Sequence, residues 1–343
     1  MRLYPIMTTF IESLITKAKK YQKTIVLAEG EDPRIIEAAS IITSQEIAKI
    51  IILGNKDKIL DNAKNLKINL DNINIIDPQN YPETSSLSQK LFELRKEKGL
   101  TQEAADQLIK SPYYFGTMLV KEGLADGMVA GANCSTSDVL RPALQIIKTA
   151  PNNNIVSSFF AIVSPNTNFG DNGVLFFADC GLNIDPKDIE LADIAVQTAD
   201  SFKFFTDTEP KIAMLSFSTN GSAGGETVDK VKSATSIVKT LRPQLLVEGE
   251  MQVDAALVPS VSAQKFPNSK LHGDANILVF PDLNSGNIGY KLVQRFGNAK
   301  AFGPITQGLN KPINDLSRGC NSEDVVITIV ITALQSASAP LSI

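Results

Sequence analysis

Short, almost wholly apolar runs recur along this chain, and segments with helical spacing separate them. Three of these runs, 24–28, 48–53 and 124–130, precede the middle of the sequence. Runs of this length without polar alternation are typical of strands that are buried on both faces. Because parallel strands need a crossover segment between them, the alternation predicts an α/β domain built on a parallel sheet.

A second block with the same alternation follows the polar segment 151–154, which we interpret as a domain linker. Its strands are predicted near 155–163, 173–178, 212–217, 245–248 and 277–280. At 343 residues the chain is longer than one typical domain. The predicted fold class is therefore α/β with two domains.

The composition argues against several classes of protein. A formal net charge of −4 gives no general attraction to nucleic acid or to an anionic membrane. The single histidine, His272, and three widely spaced cysteines argue against a zinc site, a serine–histidine triad or a disulfide framework. No two glycines stand two apart and none precedes a lysine, so neither GxGxxG nor a P-loop can occur. The cysteine usage, with no long apolar run for a membrane span or a secretory signal, predicts a cytoplasmic protein.

The segment 314–324 combines a hydroxyl, a guanidinium, a thiol and several carboxylates just before the apolar run 325–334. Arg318 and Ser317 are hydrogen-bond donors suited to an anion. A purely structural interpretation is also open, in which the segment caps a helix and Asp324 faces the positive end of its dipole.

Other strand ends also carry polar residues. The loop 131–138 follows the strand at 124–130 and leads into a helix that contains Arg141. Small residues before a helix N-terminus favour anion binding, although many such loops bind nothing. Asp179 and Asp282 follow strands of the second block, where they either line a ligand site or cap turns.

Several long motifs agree in order and spacing with one known family. They are EKGLT at 97–101, YYFGTML at 113–119, ADGMVAGA at 125–132, DVLRPA at 138–143, FPDLNSGNIGYK at 280–291 and NDLSRGC at 314–320. In these motifs the chain closely resembles the phosphate acetyltransferase (phosphotransacetylase) family. The resemblance extends from residue 25 to the C-terminus.

The resemblance implies reversible conversion of acetyl-CoA and phosphate into acetyl phosphate and CoA, without a metal, a cofactor or a covalent acyl-enzyme. It also implies two three-layer α/β/α domains with a cleft between them, in the fold of isocitrate and isopropylmalate dehydrogenases. The first domain is expected at 1–151 with 303–343, and it carries the catalytic loop. The second, 152–302, is expected to form a wall of the CoA cleft and the interface of a homodimer.

Site residues carry over from the family motifs at matching positions. The catalytic assignments are Asp324 as general base for the CoA thiol, with Arg318 and Ser317 stabilising acetyl phosphate and the charge that develops on it. The substrate-binding assignments are Arg95, Arg141, Ser135 and Thr136. We further expect the apolar run behind Asp324 to desolvate its carboxylate in part.

Three alternative functions would differ from this one in what the protein binds or converts. A phosphate butyryltransferase would perform the same chemistry on a longer acyl chain. A non-catalytic acetyl-CoA-binding regulatory domain would bind without turnover, and the joint presence of Ser317, Arg318 and Asp324 argues against it. A metal-dependent decarboxylating dehydrogenase would share only the fold.

Two segments near the C-terminus lead to further predictions of secondary structure. The Gly/Pro-rich segment 302–312 is predicted to be a loop. The run 325–332 is so rich in β-branched residues that propensity alone favours a strand, whereas the family resemblance implies a helix. We predict the helix, because burial readily overrides propensity.

Overall fold

Two sheets organise this protein, seen in a computed structural model that describes residues 5–151 and 153–337. The strands are β1 Thr24–Leu27, β2 Lys49–Leu53, β3 Asn74–Ile76, β4 Gly127–Ala130, β5 Ser157–Val163, β6 Val174–Ala178, β7 Lys211–Leu215, β8 Leu246–Met251, β9 Ile277–Val279, β10 Lys300–Gln307 and β11 Ile313–Asp315. The α-helices are α1 Pro5–Lys19, α2 Pro33–Ser44, α3 Lys56–Leu66, α4 Thr84–Arg95, α5 Gln102–Leu108, α6 Pro112–Lys121, α7 Thr136–Pro142, α8 Asp188–Thr206, α9 Glu226–Leu241, α10 Val253–Leu257, α11 Pro259–Lys265, α12 Leu283–Phe296 and α13 Ser322–Ala337. A 3₁₀ turn follows α4 at Lys96–Lys98, and a π-helical segment follows α7 at Ala143–Ile147.

The first sheet has the strand order β11-β4-β1-β2-β3, and all of its pairings are parallel. Successive residues of β4 face opposite sides. A side chain added at Gly127 would meet Thr332 of α13, whereas Met128 lies against Gly116 of α6. Helices therefore cover both faces, which is why the strands are apolar throughout. The predicted parallel sheet is confirmed.

The second sheet has the order β10-β5-β6-β9-β7-β8 and is mixed, because β5 runs antiparallel to both β6 and β10. Phe159 of β5 stacks on Phe176 of β6, with 4.5 Å between ring centroids, and Phe202 of α8 meets Phe176 edge-on. The next residue along β5, Phe160, stacks instead on Tyr290 of α12. Both faces are again covered by helices, which confirms the α/β class.

The predicted loop at 302–312 is wrong over its first half, because β10 runs through it to Gln307 and pairs with β5. Proline and glycine are tolerated there for a local reason. Pro304 lies where the register shifts between Phe302 and Ile305, and β10 is at the edge of the sheet. The expected return to the first domain at residue 303 falls inside this strand.

The chain divides into two compact units, each with one of the sheets. One is Ser13–Pro151 with Leu309–Ile343, and the other is Asn152–Gly308 with Met1–Glu12. The strand β11 and the helix α13 thus belong to the same unit as β1 and β4, although the whole second sheet separates them in sequence.

The β-branched run after residue 324 is helical, as the family resemblance predicted. It forms most of α13, whose side chains from Ile327 to Leu334 are buried. Thr328 and Thr332 satisfy their buried hydroxyls by donating to carbonyls four residues earlier, at 2.8 and 2.6 Å. Neither α13 nor any other helix within the described ranges is long and apolar enough to cross a membrane.

Candidate active site

The carboxyl ends of β1, β4 and β11 meet at one edge of the first sheet, and Glu29 lies at the centre of this edge. Its carboxylate is buried and accepts hydrogen bonds from the backbone N–H groups of Gly131, Ala132 and Asn133 at 2.7–2.9 Å. The phenol of Tyr113 donates a further bond at 3.3 Å. The first part of the loop after β4 is therefore already filled by a carboxylate of the protein, and its N–H groups are not free for a substrate anion.

Arg34, on the first turn of α2, connects this loop to the loop between β11 and α13. Nη1 donates to the carbonyl oxygens of Arg318 and Cys320 at 2.9 and 3.0 Å. Nη2 donates to the carbonyl oxygen of Ala132 at 2.9 Å and to Asn133 Oδ1 at 3.3 Å. One guanidinium thus holds in place two loops that contain predicted site residues.

Asp32 orients that guanidinium and also caps α2. Its carboxylate accepts from Arg34 Nε at 3.0 Å, from Nη2 at 2.7 Å and from the backbone N–H of Arg34 at 2.8 Å. Asn133 Nδ2 donates a fourth bond at 2.6 Å. Burial by itself would raise the pKa of Asp32, but these bonds outweigh it and lower the pKa below its ordinary value.

The predicted catalytic pair, Ser317 and Arg318, lies exposed in the loop that leaves β11. The loop is anchored by Leu316, whose N–H donates to the carbonyl oxygen of Ala130 at 2.7 Å, and it turns where Cys320 N–H donates to Ser317 O at 2.9 Å. The guanidinium of Arg318 makes no hydrogen bond to any described residue, and it is therefore available to an anion.

Asp324 occupies the first turn of α13 and forms a reciprocal cap with Asn321. The side chain of Asn321 accepts from Asp324 N–H, and Asp324 Oδ2 accepts from Asn321 N–H, both at 3.0 Å. The carboxylate is half-buried, and its Oδ1 makes no hydrogen bond within residues 5–151 and 153–337. The capping interpretation is thus correct as a description, and one oxygen is still free to accept a proton.

Thr136 and Asp315 form the contact between the β4 loop and β11. Thr136 is an exposed residue, and its hydroxyl donates to Asp315 Oδ2 at 2.6 Å. Asp315 is buried, and its Oδ1 has no hydrogen-bond partner among the described residues. Burial is the main reason why the pKa of Asp315 is raised to about 6, and the charge of Glu29 adds to the shift. The hydrogen bond from Thr136 and the charge of Arg318 oppose it.

The remaining predicted residues lie on α4 and α7. Ser135 uses both its N–H and its hydroxyl to bind Asp138 Oδ2, at 3.1 and 2.7 Å, so it caps α7. Arg95 and Arg141 lie within electrostatic reach of one phenol. Burial raises the pKa of Tyr114, and the charges of Arg141 and Arg95 both oppose that shift. No described contact joins these two arginines to the loop that contains Ser317.

The acidic side chains at this edge do not form a metal site. No group of three or more His, Cys, Asp or Glu side chains in the described part of the chain is arranged to hold a metal ion. The expectation that the reaction needs neither metal nor cofactor stays a prediction.

Sequence reasoning missed four residues at this edge, Glu29, Asp32, Arg34 and Asp315. The first three follow β1 and lie outside the motifs that carry the family resemblance. Their signal was the position of two carboxylates and an arginine directly after a buried parallel strand, where ligands gather in α/β sheets. Asp315 offered a weaker signal, because a charged residue at the end of a short strand is common.

Comparison with known proteins identifies the family. The model of the family described as "Phosphate acetyl/butaryl transferase" matches residues 9–333. The chain belongs to this family. A phosphate acetyltransferase of Clostridium acetobutylicum is 51% identical over 326 residues, which cover 95% of this chain and 98% of that protein. Among solved structures, a phosphotransacetylase from Streptococcus pyogenes is 46% identical with a TM-score of 0.90, covering 98% of this chain and 99% of that one.

The phosphate acetyl/butaryl transferase assignment agrees with the sequence resemblance over almost the whole chain. At the level of fold alone, a Salmonella typhimurium protein assigned as a 4-hydroxythreonine-4-phosphate dehydrogenase superposes with a TM-score of 0.54 at 13% identity, covering 92% of this chain and 99% of that one. The predicted dehydrogenase-like architecture is consistent with that similarity.

Proposed function

We propose that this chain is a phosphate acetyltransferase, which converts acetyl-CoA and phosphate reversibly into acetyl phosphate and CoA. One observation supports this most directly. Arg318 is exposed in the loop after β11, and Asp324 follows it on the first turn of α13. Among the described residues the guanidinium of Arg318 has no hydrogen-bond partner and the half-buried carboxylate of Asp324 has one free oxygen, in a chain that matches the family over residues 9–333. Anion binding and proton acceptance are the two operations that this transfer requires.

In the direction of acetyl-CoA formation, Asp324 Oδ1 takes the proton from the CoA thiol. A free thiol is only a few per cent thiolate at neutral pH, so a nearby base raises the concentration of the nucleophile. The thiolate sulfur forms a bond to the acetyl carbon as the bond from that carbon to the phosphate oxygen breaks. Because Oδ2 stays bound to Asn321 N–H, the carboxylate keeps its orientation while Oδ1 gains the proton.

Arg318 would neutralise the phosphate group and the negative charge that develops on the carbonyl oxygen, and Ser317 would donate a hydrogen bond to one of them. Arg95 and Arg141, beside Tyr114, would bind further phosphate groups of CoA. The loop at Ser135 and Thr136 would contact the transferred phosphate. No resident cofactor is included in this proposal, because CoA is a substrate.

The test is an assay of the purified protein with acetyl-CoA and inorganic phosphate. We expect release of free CoA thiol that depends on phosphate, together with formation of acetyl phosphate. Asp324→Asn should lower kcat by roughly a hundredfold or more with little change in KM. An inactive wild-type protein would contradict the proposal. A near-normal kcat in Asp324→Asn would mean that Asp324 only caps the helix and is not the base.

Two other activities are outcomes of the same assay. Faster turnover of butyryl-CoA than of acetyl-CoA would identify a phosphate butyryltransferase. Binding of acetyl-CoA without any release of CoA would identify a regulatory domain. The names of the similar proteins favour acetyl transfer over both.

We also propose a homodimer in the cytoplasm, with α12 at its interface. This helix exposes apolar side chains at intervals of four residues, Ile288, Leu292 and Phe296, which are 58%, 50% and 86% exposed. Ile184 is 74% exposed and lies beside the start of the helix, where its carbonyl oxygen accepts from Leu283 N–H at 2.9 Å. A continuous apolar stripe of this kind on one helix face is typical of a protein–protein interface.

A further inference from the structure

The proposed transfer leaves one proton unassigned, and this inference rests on that proposed function. When the carbon–oxygen bond of acetyl phosphate breaks, the departing oxygen carries the electron pair of that bond. Without a proton the product would be the strongly basic phosphate trianion, whereas the stable product is hydrogen phosphate. A group that delivers a proton to that oxygen would therefore lower the barrier.

Thr136 and Asp315 are arranged for this delivery. Thr136 is an exposed residue of the loop, and its hydroxyl is 2.6 Å from Asp315 Oδ2 in a partly buried hydrogen bond. Asp315 itself is only 5% exposed, so we expect it to act on a substrate through that hydroxyl. A hydroxyl can accept one hydrogen bond and donate another at the same time, which lets it relay a proton.

We propose that Asp315, acting through the hydroxyl of Thr136, supplies the proton to the departing phosphate oxygen and receives it back in the reverse reaction. Thr136 is then the catalytic residue that touches phosphate, and Asp315 is the positioning residue that holds the proton. The observed hydrogen bond, in which Thr136 donates to the carboxylate, corresponds to the state after the proton has left.

The step balances in protons and electrons. In the direction of acetyl-CoA formation, the O–H bond of protonated Asp315 breaks as a new O–H bond forms at Thr136 Oγ1. The original Thr136 proton moves to the phosphate oxygen, which leaves as hydrogen phosphate. Asp324 has meanwhile gained the thiol proton, so the two aspartates exchange one proton through solvent to complete the cycle.

The surroundings of Asp315 favour a carboxyl that can hold a proton. Burial is the main cause of its raised pKa of about 6, and its Oδ1 has no hydrogen-bond donor among the described residues. Three charged or titratable groups interact with Asp315. They are Glu29 in the segment that follows β1, Cys134 in the loop that follows β4 and Arg318 in the loop that follows β11. From α13, the neutral groups Thr332 and Gln335 bind the preceding residue, Asn314.

Other carboxylates at this edge are less suited to the role. Glu29 is held as an acceptor by three backbone N–H groups. Asp138 is exposed, and hydrogen bonds from Ser135 lower its pKa. Asp32 is paired with Arg34, and its pKa is also lowered. Asp315 alone in this set combines burial with an oxygen that lacks a donor.

The test compares the pH dependence of kcat in four proteins, with acetyl-CoA and phosphate both saturating. In this direction Asp315 must be ionised to receive a proton, so wild-type kcat should fall as the pH falls through about 6 or somewhat above. Asp315→Asn keeps the acceptor for Thr136 but cannot hold the proton. We expect its kcat to be roughly tenfold to a hundredfold lower and to lose this acid limb.

Thr136→Val should reproduce the behaviour of Asp315→Asn, and Thr136→Ser should restore kcat to within about threefold of wild type together with the limb. A merely structural role for Asp315 would lower kcat at every pH and leave the limb unchanged, which would overturn the proposal. So would Thr136→Val with wild-type kcat and limb. Absence of activity in the wild-type protein itself would instead count against the proposed function, and circular dichroism confirms that each variant is folded.

Discussion

At the scale of single residues, Arg34 has the largest number of described contacts at the candidate site. Its guanidinium binds three backbone carbonyl oxygens and the carboxylate of Asp32, and those carbonyls belong to segments about a hundred and almost three hundred residues away. Lysine could not reproduce this, because an ammonium group lacks the planar fork that reaches several acceptors in fixed directions.

Arg34→Met should therefore destabilise the protein and lower activity together. It leaves Asp32, which is 95% buried at its side chain, without its charge partner, and we expect a loss of about 2–4 kcal/mol in the free energy of unfolding. Urea unfolding measures this loss. Lys58→Met is the matched control, since the Lys58–Glu31 pair is exposed and its removal should cost less than about 1 kcal/mol. Equal losses in the two variants would contradict the role given to Arg34.

The pH dependence of the free energy of unfolding should also reveal the raised pKa of the buried Asp315 carboxyl. Its pKa is raised in the folded state, so the folded chain binds more protons than the unfolded chain between about pH 4 and 6. The contribution of Asp315 to stability is thus fully present below about pH 4 and is lost as the pH rises through about 6. The free energy of unfolding of Asp315→Asn, taken relative to that of wild type, should therefore rise by about 2–3 kcal/mol between pH 4 and pH 7.

Denaturant unfolding of both proteins at several pH values checks this expectation. Any constant cost of burying the amide cancels in the comparison across pH. A difference between the two proteins that does not change with pH would mean that Asp315 ionises as an ordinary carboxyl.

At the scale of elements, α13 combines a cap with the proposed base in one turn. If Asp324 only caps, then Asn321→Ala and Asp324→Asn should have similar effects on both stability and activity. We expect a contrast instead. Asn321→Ala should lower stability by about 1 kcal/mol with a modest effect on kcat, whereas Asp324→Asn should lower kcat far more than it lowers stability. Thermal unfolding and steady-state kinetics on the same preparations measure both.

The elements also reveal how far the sequence could predict this structure. The apolar runs at β1, β2 and β4 were sufficient to predict the parallel sheet, because burial on both faces leaves a clear pattern. β10 was missed because Gly303 and Pro304 resemble a turn, and only the bulge at a sheet edge makes them compatible with a strand. Propensity at α13 favoured a strand, and the family resemblance was needed to predict the helix.

For the site, the resemblance supplied the candidate residues, and the structure added the residues that hold them. Glu29, Arg34 and Asp315 contact neighbours that are far away in sequence, so the sequence alone could not show which residues they hold. Thr136 was predicted as a phosphate contact, but its bond to Asp315 depends on the pairing of β11 with β4. Contacts of this kind become visible only when the topology is known.

At the scale of the whole molecule, the proposed dimer makes a prediction about α12. Leu292→Lys should convert a dimer into a monomer, because a buried, unpaired ammonium in the interface is strongly unfavourable. Size-exclusion chromatography with light scattering measures the mass. Leu60→Lys on α3, where Leu60 is 43% exposed, is the control that should leave the dimer intact. A monomeric wild-type protein, or a dimeric Leu292→Lys variant, would contradict the interface.

The pairing of β11 with β4 has a consequence for how the protein is made. A chain leaves the ribosome N-terminus first, so β1, β4 and Arg34 emerge long before Arg318 and Cys320. Until the last segment arrives, β4 is an open sheet edge and Arg34 lacks two of its acceptors. Under the proposed function, a nascent or prematurely terminated chain that lacks residues 314–324 cannot consume acetyl-CoA, because the reactive loop is synthesised after β1–β10.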